Sequence, residues 1–149
     1  MRLRSVLTIL VPLAFAACLG DTSPTTNPLV PIENTTFAAA LGVNLAASTK
    51  TADGLYYRDT RIGTGTVVAA GQSVTVKYVG NFANGVQFDA GTYPFTIPGQ
   101  VIQGWNEGLL GMNRGGARQL IIPPSLAYGS QDYNGIPGNS VLVFTVEPQ

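Results

Sequence analysis

The sequence predicts a single α+β domain, an antiparallel sheet of five or six strands wrapped over one short helix. Three features predict it. Val74, Val76 and Tyr78 alternate with Thr75 and Lys77, the period of a strand that buries one face. From Leu55 onward only Val101 to Leu110 repeats its apolar residues (Val101, Ile102, Trp105, Leu109 and Leu110) at helical spacings of three and four. Strand-like runs follow one another instead of alternating with helices, which rules out a βαβ layout. At 149 residues the chain can close one real core but not two.

Each element has its local reason. Leu55 to Asp59 reads as the first strand and Gly63-Thr64-Gly65 as a turn. That turn is no nucleotide fingerprint, because no third glycine opens a helix behind it. Ser73 to Tyr78 is the alternating strand, and Ala83-Asn84-Gly85 is a hairpin turn. Val86 to Asp89 and Pro94 to Ile97 read as two short extended pieces. Gly111 is a natural stop for the helix. Ala117 to Ile122 and Val141 to Glu147 are the last strands, and the Val141 to Val146 run is apolar enough to lie centrally. Such a sheet is expected to bury one face and wet the other.

Composition excludes several chemistries. The chain has no His and one Cys, so the commonest general base is missing. A Cys/His zinc site and an internal disulfide are excluded with it. Eight basic residues balance eight acidic ones with no basic run, so nucleic-acid binding has no electrostatic basis. No bound metal or cofactor is expected.

The N-terminus reads as an export signal. Arg2 and Arg4 precede the mostly apolar run Ser5 to Phe15, then small Ala16 and Ala17, then Cys18. The run is too short to span a bilayer as a helix. Phe15-Ala16-Ala17-Cys18 resembles the lipobox of bacterial lipoproteins, with Phe15 where that motif usually has Leu. The resemblance implies a lipidated Cys18 and a membrane-anchored lipoprotein of the cell envelope, facing the periplasm or exterior. Leu19, in place of an Asp retention signal, leans towards the outer membrane. Cleavage at Ala14-Phe15-Ala16 and plain secretion is the alternative. The expected organisation is a signal over 1–17, the anchor and a polar Pro/Thr-rich tether over 18–36, a docking segment over 37–54 and the domain over 55–149. Phe37, Leu41 and Leu45 recur every four residues, which suggests a short helix or docking piece capped by Thr36.

The domain resembles the FKBP family of peptidyl-prolyl isomerases, in motifs that run in family order. They are Val76-Lys77-Tyr78-Val79-Gly80, Gly85-Val86-Gln87-Phe88-Asp89, Pro94-Phe95 and Val101-Ile102-Gln103-Gly104-Trp105-Asn106-Glu107-Gly108-Leu109. Gly111-Met112, Ala127-Tyr128-Gly129, Ile136-Pro137 and Leu142-Val143-Phe144-Thr145-Val146-Glu147 complete the set, so the likeness covers Leu55 to Glu147. It implies a strongly curved sheet clasping one helix, with an apolar pocket between them. In that pocket Tyr78, Asp89 and Tyr128 would serve catalysis, and Phe88, Phe95, Val101, Ile102, Ile136 and Phe144 would hold substrate over a Trp105 floor. Tyr128 would donate its hydroxyl to a substrate carbonyl, the Ile102 N–H would meet another, and Asp89 would orient Tyr78.

The implied reaction is rotation about Xaa–Pro bonds in segments of exported proteins, which assists their folding; macrolide inhibitors of many relatives are further candidate ligands. A non-catalytic module or chaperone that only holds proline-containing segments is the alternative. Three departures from the family bear on substrate preference. Ala90-Gly91-Thr92-Tyr93 is short and has no basic residue to pair with Asp89. Ser130 to Gly135 reads Ser-Gln-Asp-Tyr-Asn-Gly where the pocket is overhung, and Leu126 replaces a frequent aromatic.

Overall fold

Val74 and Val76 are buried on the strand whose alternation marks it in sequence, and that strand organises the sheet. A computed structural model describes residues 27–149, so the signal pattern and Cys18 lie outside the described residues. Six strands form one antiparallel sheet: β1 (Thr49–Lys50), β2 (Tyr56–Arg61), β3 (Ser73–Phe82), β4 (Gln87–Thr96), β5 (Ala117–Ile122) and β6 (Leu142–Pro148), in the order β1-β2-β5-β6-β3-β4. The apolar β6 is central, between β5 and β3, as its composition predicts.

β4 departs from the expected pair of short pieces. Ala90 and Gly91 have weak strand propensity, yet Ala90 to Tyr93 pair in register with Val79 to Val76 of β3, and the ladder carries one continuous strand through them. Pro94 is tolerated because β4 lies at the sheet edge. At the turn, the Phe82 N–H donates to Val86 O at 2.9 Å and the Gly85 N–H to Phe82 O at 2.9 Å. Gly85 has φ 88°, where a side chain would be strained.

The helix, α1 (Gln103–Gly108), is shorter than the expected Val101 to Leu110. Ile102 is extended, with ψ 145°, because the loop before it is tied to the helix. Asn106 accepts from the Gly99 N–H at 2.8 Å and donates to Gly99 O at 3.2 Å. Leu110 falls beyond the helix and is 41% exposed, so it does not share the buried face. Gly104 and Gly108 set the helix close to β5. A Cβ on either would lie 2.6 Å from Ile122 Cγ2 or Leu120 Cδ2 respectively, so only the bare backbone fits. Arg118 of β5, 6% exposed, ties the helix end to β2. It donates to Asp59 through Nε at 2.6 Å and Nη2 at 3.1 Å, and through Nη1 to Gly108 O at 2.8 Å.

The main core lies between the helix and the concave face, with Leu55, Val76, Trp105, Leu109, Leu120, Leu142, Phe144 and Val146 buried. The outer face is not left wet, contrary to expectation. Tyr56, Ile121, Val141 and Val143 form a second cluster with Ile32, and Phe37, Leu41, Val43 and Leu45 pack against it. This covering is why every residue of β5 is buried. The covering strap has no α-helix capped by Thr36. It turns through short 3-10 pieces at Ile32–Asn34, Ala39–Leu41 and Leu45–Ala47. Ile32 is only 4% exposed, so packing on the domain begins inside the stretch whose composition reads as tether. Gln119 Nε2 donates to Leu41 O at 2.7 Å, and Arg58 Nη2 to Gly42 O at 3.0 Å.

Glu33 pins the start of the strap, accepting from Lys50 Nζ and the Tyr56 hydroxyl, each at 2.6 Å. The Lys50 contact, then the Tyr56 bond, hold its carboxyl at about 2, below the ordinary 4.5. A carboxyl lowered in the folded state stabilises above its unfolded value and loses that contribution as pH falls through its folded one. The pin therefore weakens between pH 4.5 and about 2. An NMR titration should place the Glu33 midpoint near 2, and Lys50→Met should move it back towards 4.5. A wild-type midpoint already at 4.5 would show that the pin does not form in solution.

Candidate active site

Strand alternation alone would point Phe88 and Asp89 to opposite faces of the sheet. A β-bulge brings both to the same cavity. Gly80 faces Asp89 and Asn81 faces Gln87, so Phe88 is the extra residue in β4. Gly80 makes room for this. A Cβ there would lie 2.7 Å from Phe144 Cε1 and 2.8 Å from Phe88 Cζ, so the two rings meet over bare backbone.

The cavity has a volume of about 510 Å³ and opens between the concave sheet face and the start of α1. Trp105 sits under it, 5.0 Å from Tyr78 at 73° and 5.5 Å from Phe144 at 86°. Phe88 meets Phe144 at 5.5 Å and 89°. These edge-to-face contacts are the favoured aromatic arrangement and brace the walls. Trp105 Nε1 is buried and meets no acceptor among the described residues.

Polar groups stand to one side. The Tyr78 hydroxyl donates to Asp89 Oδ2 at 2.8 Å. Burial, then the Asp89 hydrogen bond and charge, push the Tyr78 phenol up to about 12. Tyr128 is also raised, by burial and then by Tyr133 and Asp89. Both phenols therefore remain protonated donors at neutral pH. The Ile102 N–H, just ahead of α1, meets no acceptor among the described residues. Among the described residues no three His, Cys, Asp or Glu side chains gather into a possible metal site.

The structure brings Tyr78, Phe88, Asp89, Val101, Ile102, Trp105, Tyr128 and Phe144 to the cavity wall. Two expected members stand behind it. Phe95 backs Trp105, with ring centres 6.1 Å apart, and Ile136 is buried in the core. Tyr93 and Tyr133 line the mouth and are absent from the sequence-derived set. Tyr133 stacks on Tyr128 at 4.9 Å and 12°. Its signal was Asn134-Gly135, a two-residue hairpin dipeptide. Those residues have φ 46° and 83°, and Tyr133 and Ile136 exchange backbone bonds of 2.9 and 2.8 Å.

Known proteins resemble this chain over the same region. The chain is 47% identical over 103 residues to FK506-binding protein 4 of Chaetomium thermophilum, covering 66% of this chain and 21% of that protein. It is 43% identical over 103 residues to the FKBP-type peptidyl-prolyl cis-trans isomerase FkpA of Buchnera aphidicola, covering 66% of this chain and 42% of that protein. The chain thus spans less than half the length of these relatives. The crystal structure of FkpA from Escherichia coli superposes with a TM-score of 0.64 at 37% identity, over 68% of this chain and 50% of that one. Residues 65–148 match the family model for FKBP-type peptidyl-prolyl cis-trans isomerase. That span holds every wall residue of the cavity, the bulge that aims Phe88 and Asp89, and the helix beneath them, and by it the chain belongs to the FKBP-type peptidyl-prolyl cis-trans isomerase family.

Proposed function

We propose that this chain catalyses cis–trans rotation about Xaa–Pro peptide bonds. The observation that carries this is the cavity itself, an aromatic floor with phenol donors at one side. Rotation breaks amide resonance, with a barrier of about 18–20 kcal/mol, and makes or breaks no covalent bond. Neither nucleophile nor metal is needed. Trp105, Phe88 and Phe144 exclude water from the proline ring and its amide. Water stabilises the planar, charge-separated amide more than the twisted one, so its removal favours the transition state. The Tyr128 hydroxyl and the Ile102 N–H hold flanking carbonyls, while Asp89 fixes Tyr78 beside the turning bond. Each tenfold in rate takes about 1.4 kcal/mol of such differential stabilisation.

The test is conversion of a Leu-Pro peptide without added metal or nucleotide. Acceleration over buffer supports the reading, and none with folded protein sinks it. Tyr128→Phe keeps the ring on Tyr133 and removes one hydroxyl. Its kcat/KM should fall by about tenfold, the worth of one hydrogen bond of roughly 1.4 kcal/mol, with an unchanged melting temperature. Wild-type turnover in this variant would remove the hydroxyl from the mechanism. Relatives named FK506-binding proteins support one further expectation, that a macrolide of that class competes with peptide for the same cavity.

The clients we propose are exported proteins, met at the cell envelope, with Cys18 as lipid anchor. Support comes from the signal pattern before the chain's single Cys. Cys18→Ser should move the protein from the membrane to the soluble fraction. A wild type already soluble and beginning at Ala17 would show plain secretion instead.

A further inference from the structure

Among the described residues Asp89 is the one charged side chain on the cavity wall. Tyr78 donates to its Oδ2, and no ion pair among the described residues includes it. The described cations are engaged elsewhere. Lys50 pairs with Glu33, Arg61 with Glu147 and Arg118 with Asp59. Arg58 donates to Gly42 O and Arg114 to Ser73 O. Lys77 neighbours Tyr78 in sequence, so strand alternation turns it to the opposite face, where it lies across from Glu147. Among the described residues no cation compensates the negative charge at the mouth.

Two tyrosines line the same cavity. Tyr93 is 47% and Tyr133 52% exposed. Each is backed by another ring on one side only: Tyr93 leans on Phe95 at 6.1 Å and Tyr133 stacks on Tyr128. A backed ring with a free outer face covers an alkyl stem and attracts the cation at its end.

We propose that this mouth favours proline segments with lysine or arginine before the proline over those with an acidic residue there, through the carboxylate of Asp89. The inference rests on the isomerase reading and names the substrate class within it. Lysine and glutamate both bring an alkyl stem and differ mainly in the sign at its end, so their ratio isolates the charge. Exposed ion pairs change affinity by at most about fivefold. Attraction for one peptide and repulsion for the other multiply, so about threefold from each gives a Lys-Pro to Glu-Pro ratio of kcat/KM of about tenfold at low salt.

The experiment measures kcat/KM for Lys-Pro, Leu-Pro and Glu-Pro peptides of otherwise identical sequence on the full chain. It is run at low and high salt, then on Asp89→Asn. The expected result is a Lys/Glu ratio near tenfold that shrinks towards one at about 1 M salt, where the screening length is about 3 Å. The same collapse is expected in Asp89→Asn, whatever that variant's absolute rate. A wild-type ratio near one, with Leu-Pro turned over, overturns the inference and leaves the isomerase reading standing. A ratio that persists in Asp89→Asn also overturns it. Failure to turn over any of the three peptides overturns the isomerase reading instead. The salt series needs no variant, so the question is answered even if Asp89→Asn does not fold.

Discussion

Phe144→Ala should destabilise the domain by about 3–5 kcal/mol, the usual cost of deleting a buried phenylalanine ring. Phe144 is 3% exposed on the central strand β6, and its ring touches those of Phe88, Trp105 and Tyr78. Three neighbours lose their packing partner at once, and the strands on either side of β6 limit how far the site can collapse. Denaturant titration reads the loss as a lower midpoint at unchanged slope. Phe144→Leu separates stability from catalysis, because it keeps most of the volume and should cost about 1–1.5 kcal/mol. It still removes an aromatic wall, so its kcat/KM should fall while the protein stays folded. A loss below about 1 kcal/mol for Phe144→Ala would mean that the rings repack without it, and the bracing described here would be wrong.

Removing residues 1–54 is expected to cost at least about 3 kcal/mol and to expose an aggregation-prone face. The cut strips Ile32, Phe37, Leu41, Val43 and Leu45 from the outer face and uncovers Tyr56, Ile121, Val141 and Val143. Burial of one large aliphatic side chain stabilises by about 1.5–3 kcal/mol, so Ile32 alone nearly reaches that figure, and the half-buried residues add to it. The cut also removes β1, the Glu33 pin and the acceptors of Gln119 and Arg58. Deleting only Leu19 to Pro31 should change the melting temperature little, since Leu29 and Val30 are both exposed. Equal melting temperatures for chains beginning at 27 and at 55 would show that the strap contributes nothing. Peptide turnover is therefore best measured on a chain that keeps the strap.

Local pattern and composition carry part of the fold on their own. Alternation marked β3, the apolar run marked β6 as central, and Ala83-Asn84-Gly85 marked the hairpin, because each of these signals lies within a few neighbouring residues. The family motifs placed the aromatic residues that meet at the cavity.

Other features needed the tertiary structure because they depend on residues distant in sequence. The bulge at Phe88 is a mismatch between β3 and β4, so neither strand read alone reveals it. Ala90 to Tyr93 became strand because β3 supplied partners. Phe95 and Ile136 share the apolar character of the wall residues, and only packing set them behind it. Tyr133 reached the mouth through a small hairpin whose aromatic neighbour, Tyr128, lies in a preceding loop. The strap is the largest such case. The spacing of Phe37, Leu41 and Leu45 marked a docking piece but not the face it covers, and Ile32 sat in a stretch whose composition read as tether. That was decided by an apolar outer face on β5 and β6, which is costly to leave in water and which the strap was near enough to bury.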